Sequence, residues 1–225
     1  MLQPRYLLHT GEGDRFGEAV HHIDVYAFDS LGIYRKMFRD KGAHLKNGYR
    51  MPIDLPEGKW TFLCLGGKVG DYEIGIFKTG IPQQFSLAVS PGITTLSDFR
   101  VKAYFEQKEN LEYSLGELFF GRLDSMEITA DNGGTGVVDL MKNTNKIEVR
   151  VKGIADGSSA RITSDNGRFN SENVTPADAG TIIYVPYYSA SQADDTRVFQ
   201  FDVLRLYTDG HLFLKLLLFR DLQKI

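Results

Sequence analysis

The sequence has one cysteine and one tryptophan in 225 residues, seven prolines, and no excess of either charge: 26 Lys and Arg face 29 Asp and Glu. With Cys64 alone, an intramolecular disulfide is impossible, and so is a zinc site built on several thiolates. The redox compartment stays open, since a disulfide-free chain folds in either. A formal net charge of −3 argues against nucleic acid as a partner, because phosphate contacts need clustered Lys and Arg. The longest stretch free of charge, Thr79 to Ser97, is broken by Pro82, Pro91 and Gly92 and carries Gln83, Gln84 and Ser86. It is too polar to span a bilayer. The N-terminal Met1-Leu2-Gln3-Pro4-Arg5 lacks the basic start and apolar run of a signal peptide.

What the chain does contain is period-2 alternation. In Lys146-Ile147-Glu148-Val149-Arg150-Val151-Lys152 the β-branched residues share one face and the charged residues the other, the pattern of a strand with one wet face. Phe99 to Phe105 and Val20 to Phe28 repeat it. Further strands are predicted at Arg5 to Thr10, Ile33 to Phe38, Arg50 to Leu55, Trp60 to Leu65, Leu118 to Ile128, Val137 to Met141, Ala160 to Ser164, Thr181 to Tyr188, Val198 to Tyr207 and Leu212 to Arg220. A helical turn is expected near Ser114 to Leu118. Asn47-Gly48, Asp131-Asn132-Gly133-Gly134, Asp156-Gly157, Asn166-Gly167 and Asp209-Gly210 supply the reversals. Short strands with frequent Gly, Asn and Asp turns predict an all-β fold of sandwich type. Three glycines between Ala130 and Gly136 suggest the division: a sandwich over 1–129, a linker over 130–136 and a second sandwich over 137–225. Ile23-Asp24-Val25 with Gly32 and Phe201-Asp202-Val203 with Gly210 form a faint internal echo.

The search for chemistry assigns no catalytic, cofactor-binding or metal-ligating residue. No Gly-x-Ser-x-Gly elbow occurs, and Cys64 shares a strand face with Trp60 and Phe62, which makes it a core thiol. His21 and His22 are neighbours on a strand and point to opposite faces, so they cannot ligate one metal together. His22 and Asp24 do share a face; an acid-base role for them needs a second carboxylate in a cleft. His9, His44 and His211 stand alone. The glycines of Gly11 to Gly17 and Gly66 to Gly70 miss the spacing of dinucleotide and phosphate loops. The Asp131 loop places Lys142 where a calcium loop needs a bidentate Glu. Asn173-Val174-Thr175 matches a glycosylation sequon. Tyr184, Tyr187 and Tyr188 around Pro186 offer an aromatic rim or core layer, or a sugar-stacking platform on a carbohydrate-binding module. Leu212 to Arg220 is apolar on both faces: Leu212, Leu214, Leu216 and Leu218 on one, Phe213, Leu217 and Phe219 on the other. Such a strand must be covered on both sides, either by this chain or by a strand from another.

Tyr6, Asp14-Arg15-Phe16, Glu18-Ala19-Val20 and Ile23-Asp24-Val25-Tyr26-Ala27-Phe28-Asp29 with Gly32 resemble the start of the fimbrillin-associated anchor proteins of Bacteroidales. The resemblance continues through Gly48-Tyr49-Arg50-Met51, Leu55-Pro56-Glu57-Gly58-Lys59-Trp60, Gly66-Gly67 and Leu118-Phe119-Phe120-Gly121. It covers residues 6 to 121; from 137 onward only the alternation agrees. It implies two tandem transthyretin-like β-sandwich domains, no catalytic residues and no cofactor. It also implies a cell-surface role as an outer-membrane lipoprotein at the base of a fimbria, with fimbrillin or other fimbrial subunits as partners by β-strand addition. The signal peptide and the lipid-bearing cysteine that the resemblance calls for are missing, and Cys64, mid-strand, cannot replace that cysteine. The chain also ends sooner than the resemblance leads one to expect, which leaves the second sandwich short. Partner-binding residues stay unassigned, with Val198 to Phe219 the first place to look.

Overall fold

The computed structural model describes residues 1–7, 13–78, 84–103, 110–111, 115–131, 133–155, 157–177, 179–192, 194–205 and 214–220. The fold is all-β, with a four-residue helix at Phe16–Ala19 and a 3-10 turn at Val69–Asp71. No helix among the described residues is long and apolar enough to cross a membrane. The chain forms two compact units: Met1–Lys102 with Glu117–Asn143 and Phe169–Val174, and Ala103–Gly116 with Thr144–Arg168 and Thr175–Ile225.

The first unit is built on a five-stranded sheet in the order Met141–Lys142, Leu118–Ile128, Gly58–Gly67, His22–Phe28, Tyr34–Lys41. Both faces of its central strands are apolar, because both are covered. On one face Ile23, Val25, Ala27, Phe62 and Cys64 pack with Phe16, Val20, Leu45, Met51, Val138 and Leu140. On the other, Tyr26 and Phe28 meet Phe99 edge-on at 5.2 and 5.9 Å, and Phe120 meets Phe169 at 5.6 Å. Phe99 and Phe169 belong to a second sheet, ordered Arg168–Asn170, Phe99–Ala103, Tyr72–Lys78, Gln84–Ser86. This is a sandwich whose outer face carries an extra layer.

The Gly-rich stretch expected as a linker runs inside this unit. Gly136–Asp139 pairs in parallel with Leu2–Arg5, Met141 and Lys142 pair with Phe120 and Phe119, and Val138 and Leu140 are core residues. Residues 137–143 therefore belong to the first unit. The close approach depends on Gly121: a Cβ there would lie 2.6 Å from Val138 and 2.8 Å from the Asp139 carbonyl oxygen.

Three other expectations differ. Arg50 to Leu55 forms no strand, since Pro52 and Pro56 offer no N–H to a ladder; only Met51 exchanges backbone hydrogen bonds with Leu2. Thr181 to Tyr188 splits into Ile182–Tyr184 and Tyr188–Ser191 around Pro186. Residues 115–117 are irregular and a strand begins at Leu118, so the turn expected there has no helix among the described residues. His9, Asp209-Gly210, His211, Leu212 and Phe213 lie outside the described residues, as do the ends of the strands predicted to reach Thr10 and Tyr207.

The second unit has a three-stranded sheet, Thr144–Lys152, Thr196–Leu204, Tyr188–Ser191, and a four-stranded sheet, Leu214–Arg220, Ser158–Ser164, Ile182–Tyr184, Asn110–Leu111. Phe199, Phe201 and Val203 of the first and Ala160, Ile162, Ile182 and Tyr184 of the second are buried. Tyr184 ties the sheets together. Its hydroxyl donates to Asn166 Oδ1 at 2.9 Å and accepts the Leu204 N–H at 3.2 Å, while Asn166 Nδ2 donates to the Leu204 carbonyl at 2.8 Å. Burial pushes the Tyr184 hydroxyl's pKa well up, so the group stays neutral.

Candidate functional site

The strand Leu214–Arg220 closes one side of the four-stranded sheet. It pairs antiparallel with Ser158–Ser164, with Leu216 opposite Ile162 and Leu218 opposite Ala160. No strand among the described residues pairs with its other side. Residues directly opposite each other in an antiparallel pair point to the same face. Leu216 and Leu218 therefore share the face of Ile162, Ala160 and Tyr184, which are 0 %, 1 % and 1 % exposed. Yet Leu216 and Leu218 are themselves 39 % and 45 % exposed. The core is sealed one strand in and open at its rim. On the opposite face Phe219 is also exposed, covered in part by the Arg161 guanidinium 5.3 Å from its ring centre. A free ladder of N–H and C=O groups beside open apolar positions is a template for another strand.

The edge of the first unit's large sheet is built in the opposite way. Tyr34–Lys41 exposes Arg35, Lys36, Arg39 and Lys41. Arg35 pairs with Asp29 at 2.6 Å, Lys36 with Asp54 at 3.4 Å and Arg39 with Asp24 at 2.6 Å. Charged, paired side chains along an edge discourage strand addition. Of these two edges, the leucine-bearing one is the less guarded: among its described side chains only Lys215 is charged.

The residues considered for chemistry are occupied elsewhere. Asp24 is fully buried and accepts Arg39 Nε at 2.6 Å, Arg39 Nη2 at 2.7 Å and His22 Nε2–H at 2.9 Å. That contact holds the Arg39 guanidinium above its usual pKa. His22 and Asp24 do come together, as their spacing predicts, but the carboxylate is spent on a cross-strand ion pair and faces no cleft. Cys64 is buried, and burial pushes its thiol pKa far up, so no thiolate forms. His44 Nε2 donates to Asp40 Oδ1 at 2.9 Å, and the Tyr49 hydroxyl donates to Asp40 Oδ2. Asn173 stands at a positive φ of 61° with its carboxamide paired to that of Asn143, so its side chain is engaged rather than free. Lys142 is bonded to Glu117, not aimed at the Asp131 loop. Gly11 and Glu12 lie outside the described residues; Asp14 Oδ1 accepts the Tyr6 and Phe16 N–H groups at 3.0 Å each and so starts the short helix.

An open cleft of about 620 Å³ lies beside Trp60, but its charges are the Asp29–Arg35 and Lys36–Asp54 pairs, and the Trp60 N–H is already bonded to the Pro56 carbonyl. No group of three or more His, Cys, Asp or Glu among the described residues is placed to hold a metal. Tyr184, proposed with Tyr187 and Tyr188 as a stacking platform, is a core residue; Tyr187 and Tyr188 are 37 % and 49 % exposed.

The sequence matches the family model of the fimbrillin-A associated anchor proteins Mfa1 and Mfa2 over residues 1–223. No curated protein matches it significantly. The fold is shared with solved structures. A candidate polysaccharide-binding protein of Bacteroides thetaiotaomicron superposes with a TM-score of 0.78 at 20 % identity, over 96 % of this chain and 74 % of that one. A candidate adhesin of Bacteroides ovatus gives 0.77 at 23 %, over 96 % and 72 %. The fimbrial anchor protein Mfa2 of Porphyromonas gingivalis gives 0.74 at 18 %, over 96 % and 76 %. Identities this low establish the fold alone; the family follows from the match along nearly the whole sequence. The chain belongs to the family of fimbrillin-A associated anchor proteins Mfa1 and Mfa2.

Proposed function

We propose that the protein is a non-enzymatic fimbrial anchor or accessory subunit of the cell surface, and that it holds or caps a fimbria by accepting a strand from a fimbrial subunit along Leu214–Arg220. The observation that carries this reading is the contrast at that edge: Ile162 and Ala160 are sealed while Leu216 and Leu218, on the same face, keep about two fifths of their surface. A partner strand would supply main-chain hydrogen bonds along the edge and alternate apolar side chains over the two leucines. The units themselves would be tandem transthyretin-like β-sandwiches. Attachment to the outer membrane would run through a lipid anchor, which Cys64, buried in mid-strand, cannot carry.

The test is recovery of fimbrial polymer with the tagged protein from cells that make the fimbria. Leu216→Thr with Leu218→Thr places strand-favouring β-branched residues at both positions and removes most of the apolar surface. The double variant should fold, with the wild-type circular dichroism spectrum, and lose the polymer. A folded double variant that brings down as much polymer as the wild type would overturn the proposal.

A further inference from the structure

The outward face of the three-stranded sheet carries a feature that strand addition does not use. In its register, Glu148 lies opposite Gln200 and Gln200 opposite Tyr188, so the three side chains form one row across all three strands. Lys146, Arg150 and Lys152, which alternate with the half-buried Ile147, Val149 and Val151, mark this as the solvent face. Adjacent strands are about 5 Å apart, which sets Tyr188 and Glu148 about 10 Å from each other at the backbone.

The row is aromatic at one end and polar at the other. Tyr188 is half exposed, and its hydroxyl has no partner among the described residues. Ala190, two residues along the same face, is too small to cover the ring. The Glu148 carboxylate is held from two sides, by Gln200 Nε2 at 2.8 Å and Arg150 Nε at 2.7 Å. These contacts keep its pKa below the usual carboxylate value. They leave the Gln200 carbonyl and second N–H, and the two terminal nitrogens of Arg150, without a partner among the described residues. In the next row Val198, opposite Arg150 and Ala190, is itself buried.

We propose that this row is a binding site for an extended neutral glycan, with one hexose stacked on Tyr188 and the next two hydrogen-bonded by Gln200, Glu148 and Arg150. A pyranose presents a face of C–H groups and a rim of hydroxyls. The first suits an exposed ring. The second suits fixed carboxylate, amide and guanidinium groups, which chelate neighbouring hydroxyls as donors and acceptors. The backbone separation of about 10 Å spans two hexose repeats, so a chain that stacks one sugar on Tyr188 carries the following ones across Gln200 towards Glu148. An apolar peptide would find charged side chains around a single ring. The site stands apart from Leu214–Arg220 in sequence and in sheet, so its fate and that of the strand-addition proposal are separable.

The experiment is calorimetric or NMR titration of the full chain with maltohexaose, cellohexaose and mannan oligosaccharides, and with acidic oligosaccharides as a second arm. Wild type should bind at least one neutral oligosaccharide. Tyr188→Ala should weaken it about tenfold, Tyr188→Phe should keep most of the affinity, and Glu148→Gln should weaken it while leaving the melting temperature unchanged. Leu216→Thr with Leu218→Thr should have no effect. No binding in either arm, binding confined to acidic oligosaccharides, or a folded Tyr188→Ala variant with wild-type affinity would each overturn the proposal.

Discussion

Removing the Arg39 guanidinium should destabilise the first unit well beyond what a surface ion pair supplies. Asp24 has no exposed surface, and two of its three hydrogen bonds come from Arg39, at 2.6 and 2.7 Å. Arg39→Ala leaves a buried carboxylate with His22 alone. Breaking a buried pair from one side costs about 3–5 kcal/mol. Arg39 is itself 52 % exposed, so water entering the vacated position offsets part of the loss, and the lower end, about 3 kcal/mol, is expected. In a chain of this length that corresponds to a fall of about 6–12 °C in the transition of the first unit. Differential scanning calorimetry reads it directly. Arg39→Lys should recover less than half of the loss, because one ammonium cannot reproduce the two parallel bonds. Arg150→Ala, which breaks an exposed pair with Glu148, should leave the melting temperature nearly unchanged. An Arg39→Ala protein that melts with the wild type would refute the structural role assigned to Asp24.

Other perturbations have equally definite outcomes. Gly121→Ala forces a methyl group against Val138, Leu140 and the Asp139 carbonyl and should cost about 1–3 kcal/mol in urea unfolding. Tyr184→Phe strips the Leu204 N–H and the Asn166 carbonyl of their buried partner and should cost about 1–3 kcal/mol, with the loss confined to the second unit. The Asp40 carboxyl is held below its usual pKa by the Tyr49 hydroxyl and His44. Its contribution is therefore fully present above the ordinary carboxylate value and lost as pH falls through the lower folded one. Thermal melts from pH 5 to pH 2 should show a shallower acid loss in Asp40→Asn than in wild type.

The alternation of Lys146 to Lys152 is enough to read a strand with one wet face, whereas that of Val20 to Phe28 marks the strand but not its burial, since His22–Phe28 is covered on both faces. Tyr72–Lys78 is not legible in the sequence, since Gly75 interrupts its apolar pattern and both Ile76 and Phe77 are buried. The parallel pairing of Leu2–Arg5 with Gly136–Asp139 joins residues 134 positions apart, and no local signal announces such a contact. The same contact explains why glycines that looked like a linker belong to a core: Gly121, Gly134 and Gly136 are small because backbone and side chains crowd them. The His22–Asp24 spacing showed that the two side chains meet, but not that Arg39, on the neighbouring strand, would claim the carboxylate. The doubly apolar run to Arg220 marked the candidate edge. Which side stays open depends on pairing order, which residue type does not encode.

The most direct test of strand addition is hydrogen exchange of the backbone amides of residues 215–219, measured in the isolated protein and again in the assembled fimbria. In an edge strand, alternate amides bond to Ser158–Ser164 and the others point outward. The outward set should exchange fast in the isolated protein and become protected on assembly. If that set exchanges at the same fast rate in the fimbria, or is already protected in the isolated chain, the edge is not where the partner strand adds.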